Sequence, residues 1–190
     1  MPRSLYVTAV EAASGKSLVS LGLAELLVRR VERLGFFRPV IRTQDEPDSD
    51  TQLMRERYCS ELDYESTYAV THAEARELYV NDRYDQLLKR ILASYKAVES
   101  ERDFVLCEGT DYTGVSSAFE FDFNAKVANH LGCPILIVVS GAEKSVFDLI
   151  TALRSAREAF ESEGCSIAAL VANRVQPQLT EELRRRVEAE

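Results

Sequence analysis

One short stretch of the sequence combines the residue types that bind phosphate. It reads Glu11-Ala12-Ala13-Ser14-Gly15-Lys16-Ser17, and it lies between a strand-like run, Leu5 to Val10, and a helical pattern that extends to Leu34. In a strand–loop–helix arrangement, backbone N–H groups of the loop and the helix N-terminus bind the anion. Lys16 would contact the outer phosphates, and the Ser17 hydroxyl would bind Mg²⁺.

The loop matches only part of the full phosphate-loop pattern, G-x-x-x-x-G-K-[ST]. Val10 occupies the position of the first glycine. An ordinary strand–turn–helix, in which Ser14 caps the helix, is an alternative interpretation. The strand-like run before the loop and the apolar helix after it favour phosphate binding.

Polar residues follow the other strand-like runs of the sequence. They are Arg38, Arg42, Asp48 and Asp50 on the second run and after it, Glu108 after 104–107, Ser140 after 134–139, and Asn173 after 167–172. Because ligands bind at the carboxyl ends of parallel strands, we expect these side chains to converge on one edge of a sheet. Ser17, Asp50 and Glu108 carry the hard oxygen ligands that Mg²⁺ takes. The sequence therefore predicts a site for Mg²⁺ with ATP or a related nucleotide.

The other polar residues of this edge have separate predicted roles. Asn173 would hydrogen-bond an adenine edge, and Arg38 would pair with a phosphate or an anionic substrate. Two simpler interpretations stay open, in which Asp50 is only a helix N-cap and Glu108 is a strand-end carboxylate in water. Glu108 could also order a water or act as a base. We assign no residue a catalytic role.

Strand-like and helical patterns alternate along the chain, which predicts an α/β fold. Short continuous apolar runs indicate strands buried on both faces of a parallel sheet. We place strands at 5–10, 36–41, 104–107, 134–139 and 167–172, with a further short strand near 67–70. We place helices at 18–34 with Gly35 as C-cap, at 51–58, from an N-cap at Asn81 to 98, and at 124–131, 145–160 and 180–190.

Length, charge and cysteine content limit the class of protein. The 190 residues suit one domain with a substantial core. The net charge of −8 argues against a nucleic-acid partner. No apolar run approaches the ~20 residues that span a bilayer, and the N-terminus lacks a signal-peptide pattern. We expect a cytoplasmic protein without a membrane partner, in which the four scattered cysteines are reduced and buried. We interpret both histidines, His72 and His130, as structural or surface residues.

The assembled motifs resemble dethiobiotin synthetase, an ATP-dependent enzyme with a P-loop-type fold. The resemblance rests on the loop ending in Gly15-Lys16-Ser17 and on the segments 38–40, 49–50, 105–109 and 171–173. It implies that Lys16 and Ser17 bind phosphate and magnesium, that Asp50 and Glu108 help hold the metal, and that Asn173 contacts the adenine. The strand-two position of a catalytic lysine in that family is Arg38 here.

A related family is more similar still. The sequence resembles the N-terminal domain of long-form bacterial phosphate acetyltransferases. This resemblance rests on the loop and on residues 35–39, 108–113, Ser117, Glu120, 124–126 and 131–134. The resemblance extends from Leu5 to about Gln176. It implies a P-loop NTPase-like three-layer fold with a mostly parallel central sheet flanked by helices. The implied strand order is 36–40, 104–108, 5–10, 134–139, 167–173.

This second resemblance implies a domain associated with metabolite sensing and with quaternary structure, which precedes a catalytic acetyltransferase domain. We expect residues 1–190 to be a single such domain, part of a longer multidomain chain. The leading hypothesis is a regulatory domain that binds a nucleotide or metabolite, adjoins a downstream catalytic domain and assembles as a homo-oligomer. The alternatives are a stand-alone ATP-dependent ligase like dethiobiotin synthetase and a ligand-free domain for oligomerisation.

Overall fold

The structure is a computed structural model that describes residues 3–110 and 117–188, without the side chains of 117–119. Residues 111–113, part of the segment 108–113 on which the second resemblance rests, lie outside the described residues. The strands are β1 (Ser4–Ala9), β2 (Leu34–Ile41), β3 (Tyr68–Thr71), β4 (Phe104–Glu108), β5 (Ile135–Ser140) and β6 (Ile167–Asn173). The helices are α1 (Lys16–Leu27), α2 (Ser49–Tyr58), α3 (His72–Val80), α4 (Tyr84–Glu101), α5 (Ser117–Leu131), α6 (Val146–Ser162) and α7 (Thr180–Glu188).

The six described strands form one sheet in the order β3-β2-β4-β1-β5-β6, and every pair is parallel. The predicted order of five strands is therefore confirmed, and the short strand predicted near 67–70 is β3 at one edge. The apolar runs explain the centre of the sheet, because all eight residues of β2 and all six of β5 are buried. Helices cover the strands on both sides of such a sheet, as the alternation of elements predicts.

Helix α4 shows how a periodic sequence produces this packing. Its residues Leu87, Ile91, Tyr95 and Val98 recur at three- and four-residue spacing, and all four are buried. The Tyr95 ring meets Phe37 of β2 edge-on, with ring centroids 5.7 Å apart. Tyr95 therefore packs in the core.

Helix α1 differs from its predicted extent. It ends at Leu27, and Leu34 and Gly35 belong to β2, so the predicted C-cap at Gly35 is wrong. Gly35 is instead a close-contact position, since an added Cβ would lie 3.0 Å from side-chain atoms of Val98 and Arg102. The buried residues of α1 are Lys16, Ser20 and Ala24, whereas leucines such as Leu18 and Leu26 are exposed. Beyond Lys16, the buried face of α1 is therefore formed by short side chains.

The start of α4 and the burial of β6 also differ from the predictions. The predicted N-cap Asn81 is the C-cap of α3, a helix that we did not predict, and α4 begins only at Tyr84. The signal for α3 is present as a capping box, in which Thr71 and Glu74 satisfy each other's backbone N–H groups. Strand β6 is not buried on both faces as predicted, because it lies at the edge of the described sheet and exposes 168–170.

The cysteine prediction is confirmed, since Cys59, Cys107, Cys133 and Cys165 are all buried and free. Within residues 3–110 and 117–188, no helix is both long enough and apolar enough to cross a membrane.

The contrast between α1 and α4 gives a stability prediction. Leu87 is 1% exposed and Leu26 is 60% exposed. We expect Leu87→Ala to lower the free energy of unfolding by about 2–5 kcal/mol, since it leaves a cavity. The matched control Leu26→Ala should change it by no more than about 0.5 kcal/mol. Urea unfolding followed by circular dichroism measures both, and equal losses would contradict the described orientation of α1.

Candidate nucleotide and magnesium site

The loop between β1 and α1 has the geometry of an anion-binding loop. Ala13 and Gly15 adopt left-handed conformations, with φ of 55° and 84°. Gly15 is the N-cap of α1, and no side chain caps this helix. The alternative in which Ser14 caps α1 is therefore wrong. An uncapped N-terminus leaves helix N–H groups available to an anion, and the helix dipole adds partial positive charge there.

Side chains at the carboxyl end of β6 donate hydrogen bonds to carbonyl groups of this loop. Asn173 Nδ2 donates to the Ser14 carbonyl at 2.8 Å, and Arg174 Nη1 donates to the Ala13 carbonyl at 2.9 Å. A Cβ on Gly15 would overlap Asn173 Nδ2 and displace that side chain, and the φ of 84° also disfavours other residues at this position. Because the carbonyl groups of Ala13 and Ser14 face the end of β6, this arrangement favours N–H groups on the side of the loop away from β6.

The acidic residue of the loop binds the carboxyl end of β5. Glu11 Oε1 accepts a hydrogen bond from the Ser140 backbone N–H at 2.9 Å. The Lys144 ammonium donates to both Glu11 oxygens, at 2.9 and 3.1 Å, and to the Ser140 carbonyl at 2.8 Å. The loop is thus anchored to two strands.

The loop lysine lies inside the site rather than in solvent. Lys16 is 4% exposed, and its ammonium donates to the carbonyl of Gly109, directly after β4. Gly109 is required there, since an added Cβ would lie 2.5 Å from Asn124 Oδ1.

The predicted magnesium ligands lie around one hydroxyl group. Ser17 Oγ is 2.7 Å from Asp50 Oδ2 and 3.0 Å from Glu108 Oε1. A serine hydroxyl carries one hydrogen, so it can donate fully to only one of these carboxylates at a time. Glu108 is 1% exposed, and its Oε2 is a buried oxygen without a hydrogen-bond partner in the described residues. The cluster therefore has more acceptor oxygens than donors.

A divalent cation would satisfy this excess of oxygen atoms. Mg²⁺ is commonly held by one or two carboxylates together with water and substrate phosphates. Within the described ranges, no three His, Cys, Asp or Glu side chains gather to bind a metal without further ligands. The residues at this site fit Mg²⁺ that arrives with phosphate groups, with Ser17, Asp50 and Glu108 as the protein ligands.

An arginine–aspartate pair adjoins this cluster. Arg38 Nη1 donates to Asp48 Oδ1 at 2.7 Å, and Arg38 Nη2 lies 3.7 Å from Glu108 Oε1. Asp48, rather than Asp50, is the N-cap of α2, and its Oδ1 accepts from the Thr51 backbone N–H at 3.0 Å. The N-cap interpretation of Asp50 is therefore wrong. Burial raises the pKa of Asp48, but the Arg38 charge and the Thr51 hydrogen bonds outweigh it, so this pKa lies below its ordinary value.

A buried asparagine fixes the backbone that follows β4. Asn124 Oδ1 accepts from the Tyr6 hydroxyl at 2.8 Å and from the Thr110 N–H at 3.0 Å, and its Nδ2 donates to the Thr110 carbonyl at 3.1 Å. The Tyr6–Asn124 contact places the end of β4 against β1, and so positions Gly109 beside Lys16.

The structure brings the predicted site residues to one edge of the sheet. Each of Ser14, Lys16, Ser17, Arg38, Asp50, Glu108 and Asn173 contacts the loop or the cluster around Ser17. Their predicted ligands, including adenine for Asn173 and an anion for Arg38, stay predictions. Sequence reasoning missed the roles of Asn124 and Lys144, whose only signals were a polar residue in an apolar helix and a lysine after a strand end.

The lowered pKa of Asp48 predicts a pH dependence of stability. A carboxyl whose pKa falls on folding stabilises the protein above its unfolded pKa, about 3.9 for Asp, and loses that contribution as pH falls through the folded value. Asp48→Asn removes the charge but keeps an acceptor for the N-cap. We expect the variant to be less stable than wild type at pH 7 and the difference to shrink below about pH 4. Urea unfolding at each pH tests this, and a difference independent of pH would contradict it.

Comparison with known proteins agrees with this geometry. The sequence matches the family AAA_26, described as an AAA domain, over residues 3–190. It is 42% identical to a phosphate acetyltransferase of Nitratidesulfovibrio vulgaris, over 92% of this chain and 25% of that protein. It is 23% identical to the ATP-dependent dethiobiotin synthetase of Bacillus subtilis, over 90% of this chain and 74% of that protein. The chain thus spans about a quarter of the length of the acetyltransferase that it matches.

Solved structures share the fold at low sequence identity. An apo GTPase of Pyrococcus abyssi superposes with a TM-score of 0.58 and 15% identity, over 97% of this chain and 72% of that one. A plasmid partition protein of Borrelia burgdorferi bound to AMPPNP superposes with a TM-score of 0.56 and 15% identity, over 97% of this chain and 81% of that one. The predicted P-loop NTPase-like fold is confirmed, as is the resemblance to phosphate acetyltransferases and dethiobiotin synthetase. The chain belongs to the AAA_26 family of P-loop domains.

Proposed function

We propose that this chain is a regulatory domain of a phosphate acetyltransferase that binds Mg²⁺ with ATP or a related nucleotide. In this proposal, acetyl transfer between acetyl-CoA and phosphate takes place on a downstream catalytic domain of the same cytoplasmic polypeptide. The observation that supports nucleotide binding best is the Ser17 hydroxyl between Asp50 and Glu108, next to an uncapped helix N-terminus. The likeness over 92% of the chain to a phosphate acetyltransferase supports the choice of enzyme.

The loop backbone, the Lys16 side chain and the Asn173 side chain have separate roles in this proposed binding. The N–H groups of 12–17 and the α1 dipole would hold the phosphates. The Lys16 ammonium would exchange the Gly109 carbonyl for a terminal phosphate oxygen, which is the stronger, charge-assisted partner. Asn173 would retain its contact with the loop, beside the position proposed for adenine.

Regulation requires that the bound ligand distinguishes two states of the whole protein. The Lys144–Glu11 pair and the Asn173 contact connect the loop to the ends of β5 and β6. A nucleotide that moves the loop would therefore act on these two strands. We propose that they transmit binding to a homo-oligomeric assembly and to the catalytic domain.

Calorimetric titration with ATP and Mg²⁺ tests the binding part of this proposal. Wild type should bind, and Lys16→Ala should weaken binding by at least about tenfold, because a charge-assisted contact to phosphate is lost. Lys89→Ala, an exposed lysine on α4, is the matched control and should bind as wild type does. Absence of binding by wild type, or equal affinity in the two lysine variants, would contradict the proposal.

Phosphoryl transfer onto a carboxylate or carbamate, as in an ATP-dependent ligase, is a second candidate function. A cavity beside the magnesium cluster favours it, because an acceptor there would adjoin the terminal phosphate. The regulatory proposal predicts nucleotide binding without turnover. We therefore expect no release of ADP above the Lys16→Ala background when ATP, Mg²⁺ and bicarbonate are supplied with diamine or carboxylate acceptors. Turnover that depends on an acceptor and on Lys16 would instead establish the ligase.

A further inference from the structure

A cavity of about 210 Å³ lies at the edge of the sheet opposite the phosphate loop. Its lining includes Leu34 at the start of β2, the segment 58–61 at the end of α2, and Arg102 shortly before β4. The proposed nucleotide site lies at the other ends of these strands, and the eight residues of β2 extend over roughly 26 Å. The cavity is therefore separate from that site.

Arg102 places a buried charge at this cavity. Its side chain is 7% exposed, and its stem packs over Gly35, where an added Cβ would lie 3.0 Å from Arg102 Cγ. A guanidinium has five N–H donors. Within the described part of the chain it makes one side-chain hydrogen bond, from Nη1 to Glu61 Oε2 at 3.4 Å, and Nε is buried without a partner. Because a buried charge is costly unless it is paired and hydrogen-bonded, this arginine lacks most of its compensation.

The acidic partner of Arg102 is weakly held. The Glu61 side chain is 78% exposed, and the 3.4 Å contact is longer than the about 2.7–2.9 Å of a good charge-assisted hydrogen bond. An ion pair with an exposed, flexible partner contributes little to stability. Glu61 can therefore leave Arg102 at low cost, whereas a ligand that accepts from two guanidinium donors gains a stronger contact.

The other charges around the cavity restrict what it can take. Arg33 is engaged by Asp103, which accepts from Arg33 Nη2 at 2.8 Å and from the Arg33 backbone N–H at 2.9 Å. Glu32 and Glu61 are exposed acidic residues of the lining, and they disfavour a ligand with many negative charges. The cavity is also smaller than the about 300–1,000 Å³ of sites for drug-sized ligands. A small oxyanion with one or two charges fits these limits.

We infer that this cavity is an anion site, in which a small oxyanion, inorganic phosphate or a short carboxylate, replaces Glu61 on the guanidinium of Arg102. A guanidinium donates two parallel N–H bonds to either kind of oxyanion. The Ser60 hydroxyl, also in the lining, supplies a further donor. Glu61 then acts as a tethered competitor, which contacts the arginine until the anion displaces it. The inference goes beyond the proposed function and does not depend on it.

Nuclear magnetic resonance titration of the whole chain tests the inference, with the backbone amide signals of Ser60 and Glu61 as reporters. Sodium phosphate and sodium acetate are added in separate series, and sodium chloride in a third series controls for ionic strength. We expect saturable shifts with at least one oxyanion and none with chloride. The two oxyanion series show which source of this chemistry the cavity prefers.

Two variants at the cavity give opposite predictions. Arg102→Lys keeps the charge but removes the fork of parallel donors, so it should weaken oxyanion binding at least about tenfold. Glu61→Gln removes the competing charge and should strengthen binding about two- to fivefold, the effect expected for loss of an exposed ion pair. Because Glu61 is exposed, this variant tests the site even if Arg102→Lys does not fold. Arg76→Lys, an exposed arginine on α3, is the matched control and should bind as wild type does.

Lys16→Ala separates this cavity from the phosphate loop, and it should leave the shifts at Ser60 and Glu61 unchanged. A wild-type chain that binds no ATP would contradict the nucleotide proposal without altering these titrations. Shifts that are absent with both oxyanions, or no larger than those with chloride, would overturn the inference. So would equal affinity in wild type and Glu61→Gln, equal affinity in wild type and folded Arg102→Lys, or loss of the shifts in Lys16→Ala.

Discussion

The site depends on the Ser17 hydroxyl group, which lies near more acceptor oxygens than it can donate to. Ser17 Oγ lies within hydrogen-bond distance of both Asp50 and Glu108, and it has a single hydrogen to give. Buried carboxylates without donors are costly unless a cation or another donor compensates them. Arg38 offers partial relief from 3.7 Å, while its closer contact is to Asp48. A magnesium ion that brings its own phosphate and water ligands would satisfy all of these oxygens at once.

The sheet brings this cluster together from distant parts of the chain. Ser17 follows β1, Asp50 follows β2 and Glu108 ends β4, and these are neighbouring strands in the order β2-β4-β1. On the other side of β1, β5 and β6 hold the phosphate loop through Glu11 and Asn173. The loop is thus fixed at its outer side by carbonyl and carboxylate contacts. Its inner side faces the carboxylates of Asp50 and Glu108 through Ser17, and the Gly109 carbonyl through Lys16.

Local patterns in the sequence predicted the strands and the cluster, whereas the order of the strands was implied by the resemblance to known families. Apolar runs identify buried strands, and the polar residues after them must meet at one edge of a parallel sheet. The sequence did not predict which face of α1 is buried, because a helix that is apolar on most sides does not indicate which face approaches the sheet. In the structure, the face that carries Ser20 and Ala24 is buried. The contacts of Asn124 and Lys144 were missed for another reason. Each joins residues more than 100 positions apart, Tyr6–Asn124 and Glu11–Lys144, and no local spacing encodes such pairs.

The most direct test of the account is the affinity of Mn²⁺, a paramagnetic substitute for Mg²⁺, measured by electron paramagnetic resonance in the presence of AMPPNP. We predict one protein-bound Mn²⁺ in wild type, with affinity about tenfold or more weaker in Glu108→Gln, which keeps the shape of the side chain but removes its charge. Glu101→Gln, an exposed residue at the end of α4, would leave it unchanged. Equal Mn²⁺ affinity in wild type and Glu108→Gln would contradict a metal site at Ser17, Asp50 and Glu108.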